Sequence, residues 1–209
     1  MLEHGGRLRR AAAAYDRPLS PWLDLSTGIT PLGGPVPTVP AEHWARLPES
    51  DDDLEAAARS YYQTESLLPV CGSQAAIQAL PRLRPCSRVG IVHPSYAEHH
   101  HAWQQAGHQI QLLDTSRIEQ HIAQLEVLIL VRPNNPTGTC HSTEQVLDWH
   151  DLLAQKGGWL VVDEAFVDAS PEISLLTHPR PGLIVLRSLG KFFGLAGARV
   201  GFVCAEASL

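Results

Sequence analysis

The sequence has no long apolar run. Its longest uninterrupted apolar stretches are about five residues, against the roughly twenty a membrane-spanning helix needs, so no membrane partner is expected. A basic surplus is also missing. The net charge of −6 gives no reason to expect nucleic acid or an anionic membrane surface as partner. Met1-Leu2-Glu3-His4 lacks the basic-then-apolar pattern of a secretory leader. Cys71, Cys86, Cys140 and Cys204 are scattered with no C-x-x-C spacing, and reduced thiols in the cytoplasm are the simplest expectation. There is no internal repeat and no low-complexity segment. Histidine, by contrast, is plentiful, with 11 residues. His93, His99, His100 and His101 lie close together, but three consecutive histidines on a helix point in different directions and cannot share one metal. They read as a solvated helix face, and no metal is expected.

Apolar residues make up 44% and charged residues 18% of the 209, ordinary for a globular chain with one real core. Residues 1–44 are rich in Gly and Pro with little periodicity, an extended arm; residues 45–209 carry the domain. A helix is expected after Asp51-Asp52-Asp53, whose carboxylates cap free N–H groups, with Leu54, Ala57, Ala58 and Tyr61 as its apolar stripe. From Leu67 the chain alternates. Strands are expected at 67–70, 88–92, 109–113, 127–131, 159–162, 183–186 and 199–203. Helices are expected from Gly72 to Pro81, Tyr96 to Ala106, Arg117 to Gln124, and Thr143 to Lys156 behind a Ser142 cap. Continuous apolar strands separated by helices imply an α/β fold of three layers, α/β/α, around a mostly parallel sheet.

Ligands of such sheets gather outside the carboxyl ends of the strands. Polar residues stand in those places: Gly72-Ser73-Gln74, Pro94-Ser95-Tyr96, Arg132 to Gly138, Asp163 to Phe166, and Ser188 to Lys191. Lys191 sits among apolar and glycine residues, where a partly dry amine loses proton affinity and can attack an aldehyde; a surface lysine in a glycine-rich loop is the alternative. Ser188 and Arg199 could hold an anion beside it, and Gly72 lets a backbone turn approach a phosphate. An aldehyde that carries a phosphate is pyridoxal phosphate. Asp163 would then pair with the protonated ring nitrogen, Asn135 with the ring hydroxyl, and Tyr96 would stack on the ring. Taken singly, Asp163 also reads as a cap, Asn135 as a turn residue and Tyr96 as core.

These motifs resemble the cofactor-binding set of the aspartate-aminotransferase superfamily, fold type I of the pyridoxal phosphate enzymes. The resemblance implies that Lys191 attaches the cofactor, Asp163 meets the pyridine nitrogen, Asn135 the ring hydroxyl and Tyr96 the ring face, while Ser73, Gln74, Ser188 and Arg199 hold the phosphate. His4-Gly5-Gly6, the run Asp24 to Gly33, Gly72 to Leu83 and Arg187 to Gly197 are similar to the threonine-phosphate decarboxylases of cobalamin biosynthesis, relatives of the histidinol-phosphate aminotransferases. That branch implies decarboxylation of L-threonine O-3-phosphate to (R)-1-amino-2-propanol O-phosphate, a homodimer, and an N-terminal arm in which His4 meets the substrate phosphate. An aminotransferase acting on a phosphorylated substrate such as histidinol phosphate, and a shortened chain that binds the cofactor without turnover, are the alternatives.

The sequence departs from the family in places. Phe166 stands where many relatives have a tyrosine that donates to the ring hydroxyl, which leaves Asn135 as the main partner. Leu47 replaces a tyrosine that reaches the neighbouring subunit, Gly190 a Ser or Thr, and Arg132 an asparagine. Family members continue for roughly a hundred or more further residues into a small C-terminal domain, which carries the arginine that grips the substrate carboxylate; a chain of this size leaves little room for it. The strand ending the sequence, Val200-Gly201-Phe202-Val203, is expected to lie without a cap.

Overall fold

The computed structural model describes residues 4–20, 22–49 and 52–209. Its helices are α1 (Leu8–Ala14), α2 (Glu42–Ala45), α3 (Leu54–Tyr62), α4 (Ser73–Ala79), α5 (Ala97–Gln105), α6 (Ile118–His121) and α7 (Thr143–Ala154). Its strands are β1 (Leu68–Val70), β2 (Arg88–Val92), β3 (Gln109–Leu113), β4 (Val127–Val131), β5 (Trp159–Asp163), β6 (Leu183–Ser188) and β7 (Gly201–Cys204). They form one sheet in the order β1-β7-β6-β5-β4-β2-β3.

Strands β2 to β6 pair in parallel, while β7 pairs antiparallel with both β6 and β1. The expected mostly parallel sheet is present. Two expectations at its end need correction. β7 is not an uncapped terminal strand, because it is hydrogen-bonded on both sides. It also starts two residues after Arg199, which sits in the left-handed region at φ 55° and ψ 47°. Reversal of β7 has a direct consequence for the site. A strand running against its neighbours begins where they end, so Arg199 arrives at the same sheet edge as the carboxyl ends of β1, β2, β4, β5 and β6.

Side chains alternate across the sheet with a period of two, and each face has its own core. One face packs Val89, Ile91, Val127, Ile129, Val161 and Ile184 against Ala76, Ile77 and Leu80 of the α4 region and Trp103 of α5. The other packs Leu128, Leu130, Leu160, Val162 and Val185 against α3, the α6 region and α7. Three layers result. Ser142 caps α7 by accepting the Gln145 N–H at 3.1 Å, as its sequence position implies. The weak helix expected after Arg117 is only one α-helical turn, with 3-10 turns on either side.

At α3, Asp51 lies outside the described residues, and the Asp52 carboxylate accepts the Leu54 N–H at 2.9 Å. The expected stripe is rotated: Ala58 and Tyr62 are buried, whereas Leu54 is 40% and Tyr61 53% exposed. Tyr62 instead packs edge-on against Phe202 of β7 and beneath the Arg187 guanidinium. Among the described residues up to 44 only Ala12 is buried, and the stretch carries two short helices within an otherwise irregular path.

Candidate active site

The polar strand-end loops meet around one cavity of about 370 Å³. Its wall includes every residue singled out from the sequence: Ser73 and Gln74 from α4, Tyr96 at the head of α5, and Asn135 after β4. Asp163 ends β5, Ser188 ends β6, Lys191 and Arg199 flank the following loop, and His4 comes from the arm. Gathering residues 195 positions apart in sequence is the work of the sheet, whose parallel strands end at one edge.

Part of the cavity lining is cationic or hydroxyl-bearing. Gly72 adopts φ +75°, and a Cβ there would lie 2.6 Å from Arg199 Nη2, so only glycine lets the guanidinium pass over this turn. Arg199 donates to the Ala196 carbonyl at 3.0 Å. Ser188 Oγ accepts the Gly190 N–H at 3.1 Å, which leaves its hydroxyl proton available. Among the described residues neither Lys191 nor Arg199 has a carboxylate ion-pair partner. The sequence holds two lysines. The other, Lys156, is committed to the carbonyls of Ile122 and Ala123 at the far side of the fold. Lys191 Nζ lies 5.5 Å from the centre of the Phe166 ring. That ring in turn touches the arm, where a Cβ on Gly28 would come within 2.7 Å of it.

The same cavity holds Asp163, 3% exposed. Its Oδ1 accepts the Ala165 N–H at 3.1 Å, and its Oδ2 lies 3.0 Å from His99 Nε2. Among the described residues no lysine or arginine pairs with it. A buried carboxylate held by two hydrogen bonds retains acceptor capacity and favours a cation in the adjoining space.

His99 corrects the sequence reading, which took it for part of a solvated face. It is 1% exposed. Its neighbour His101 is exposed, as three consecutive helical positions must diverge. The signal was present in the spacing, because Tyr96 and His99 are three apart and share one side of α5. Tyr96 lies against both His4 and His99, with ring centres 5.9 and 6.3 Å away. Burial, then the carboxylates of Glu98 and Asp163, push its hydroxyl pKa up. It therefore stays a donor and reaches Gln74 Oε1 at 3.4 Å. The Gln74 amide donates to Glu98 Oε2 at 2.7 Å, so its side chain is engaged within the wall. Glu98 was another residue the sequence reading passed over. Asn135 stands exposed on the rim.

A second set of charges lies behind the site. Glu164 is fully buried and receives Arg187 Nη1 at 2.9 Å on Oε2, with Arg132 Nη1 3.7 Å from Oε1. Arg187 Nη2 meets Asp168 at 2.6 Å. Burial works against the Arg187 charge, but Asp168 and Glu164 outweigh it and hold its pKa above the ordinary value. Arg132, which departs from the family pattern, also donates to the His141 and Ile173 carbonyls and to Thr143 Oγ1. Glu164 thus ties the ends of β4 and β6 to β5 from the face opposite the cavity.

The chain belongs to the aminotransferase class I and II family, whose model matches residues 41–209. It is 58% identical over 210 residues to a threonine-phosphate decarboxylase of Pseudomonas aeruginosa, which covers 100% of this chain and 63% of that protein. A threonine-phosphate decarboxylase of Sinorhizobium sp is 43% identical over 98% of this chain and 63% of its own length. The chain therefore spans 63% of the length of these curated relatives. The crystal structure of L-threonine-O-3-phosphate decarboxylase from Porphyromonas gingivalis superimposes with a TM-score of 0.65 at 22% identity, over 74% of this chain and 52% of that one, a likeness of fold.

Proposed function

We propose that this cavity holds pyridoxal phosphate and that the chain carries the cofactor site of a decarboxylase acting on L-threonine O-3-phosphate. One observation carries the reading: Asp163, a buried carboxylate that meets His99 but no lysine or arginine among the described residues, faces the same cavity as Lys191 and Arg199. This donor set fits a ligand with a cationic ring N–H at one end and a phosphate at the other. The 58% identity to a threonine-phosphate decarboxylase supports the choice of reaction.

In this reading Lys191 Nζ attaches the cofactor. The group supplies an electron sink for the charge left on the substrate α-carbon when CO2 departs. Asp163 Oδ1 and Oδ2 hold the ring-nitrogen proton, while His99 and the Ala165 N–H keep that carboxylate in place. Asn135 meets the ring hydroxyl and Tyr96 covers the ring face. Ser73, Gln74, Ser188 and Arg199 bind the phosphate, Gln74 through its backbone because its side chain is engaged. His4 meets the phosphate of the substrate. In this reading Lys191 Nζ is the donor that would return a proton to the α-carbon. Residues 45–209 form the cofactor domain and 1–44 its arm; the protein acts as a cytoplasmic homodimer, with no nucleic-acid or membrane partner. Among the described residues no helix is long and apolar enough to cross a membrane.

The test is incubation with pyridoxal phosphate and L-threonine O-3-phosphate while following CO2 and amine. Release of CO2 with formation of aminopropanol phosphate, and no requirement for a keto acid, is expected. Amino transfer to 2-oxoglutarate without CO2 would place the chain with the family's aminotransferases instead.

A further inference from the structure

Glu98 makes two contacts that join parts of the molecule far apart in sequence. Its Oε1 lies 2.5 Å from His4 Nε2 in the arm, and its Oε2 accepts the Gln74 amide in α4. Its side chain is 14% exposed, and that of His4 42%. The arm is fastened at further points. The Gly6 N–H donates to Ser26 Oγ at 2.8 Å, and the Thr30 N–H donates to the Lys191 carbonyl at 3.1 Å. The Ser26 hydroxyl and N–H in turn donate to Asp24. A strap therefore runs from the Lys191 loop through residues 24–30 to residues 4–6, and its His4 end lines the cavity. Glu98 and the Tyr96 ring, whose centre is 5.9 Å from that of His4, attach the arm to the head of α5, and both line the cavity.

We propose that Glu98 is a positioning residue: it latches the N-terminal strap over the cavity through His4 and so sets how tightly a phosphorylated ligand is retained. The carboxylate also fixes the Gln74 amide, so closing the strap and ordering the wall are one event. The effect on substrate rests on the reading of the cavity given above; the latch itself does not.

The first measurement is the rate of tryptic cleavage of the native protein at Arg7 and Arg9, which are exposed on the strap. Glu98→Ala and His4→Ala are each expected to speed it about tenfold, the worth of one charge-assisted hydrogen bond at a partly exposed site. The double variant should fall well short of the product of the two single effects, because both changes remove the Glu98–His4 contact, while Glu98 also holds Gln74 and His4 also meets Tyr96. His4 is on the exposed arm, so His4→Ala keeps the test decisive if Glu98→Ala fails to fold. Unchanged cleavage, or effects that multiply in the double variant, would overturn the latch. The second measurement uses cofactor-loaded protein and L-threonine O-3-phosphate. Glu98→Ala, which removes no proposed substrate contact, should raise KM about tenfold with kcat within about twofold. A fall in kcat at constant KM would overturn the retention role. Cleavage needs neither cofactor nor turnover, so it still decides the latch if the reading of the cavity fails.

Discussion

Individual side chains show where sequence reasoning succeeds and where it stops. Lys191, Asp163 and Arg199 could be read as cavity residues because polar and charged groups recur together beside the ends of apolar strands, although Asp163 taken singly also reads as a cap. His99 could not, since a run of histidines reads as polar until the helix phase is known; about half a turn of α5 separates a buried partner of Asp163 from the exposed His101. Cys204 offers a test at this scale. It is buried in β7, and burial pushes its thiol from the ordinary 9.0 up to about 12. Its raised folded value means that its contribution is fully present below pH 9 and is lost as pH rises towards 12. The unfolded chain releases that proton first, so stability falls by up to about 1.4 kcal/mol per pH unit in this window. Urea unfolding midpoints should drop between pH 9 and 12 in the parent and less steeply in Cys204→Ala. Parallel curves would show that the thiol is not what resists ionisation.

Elements were read well where periodicity reports burial and poorly where direction matters. Each buried strand between 88 and 186 lies close to its apolar run, because a strand covered on both faces must be apolar throughout. Nothing in such a run says which way the strand points, so the reversal of β7 was not legible, although it is what brings Arg199 to the site. Nor did any pattern show that Glu164 would bridge arginines from β4 and β6. Glu164→Gln should leave two buried guanidinium groups short of charge and lower stability by about 3–5 kcal/mol, read from the denaturant midpoint. A loss below about 1 kcal/mol would mean that water or Asp168 can replace it. Since Asp163 and Ser188 adjoin this network, the same variant should also loosen cofactor binding.

Over the whole molecule, a seven-stranded sheet brings five loops and one arm to a single cavity, with its cationic and acidic groups supplied by different strands. The family membership of residues 41–209 agrees with that architecture. The proposed function goes further and depends on one bond, between Lys191 and a phosphorylated aldehyde. Having two lysines makes that claim unusually open to test. The protein is loaded with pyridoxal phosphate, the linkage is fixed with borohydride, and the labelled peptide is mapped by mass. The label is predicted on Lys191, with a single equivalent bound and none retained specifically in Lys191→Ala. Label on Lys156 alone, or no stoichiometric label at all, would contradict the account.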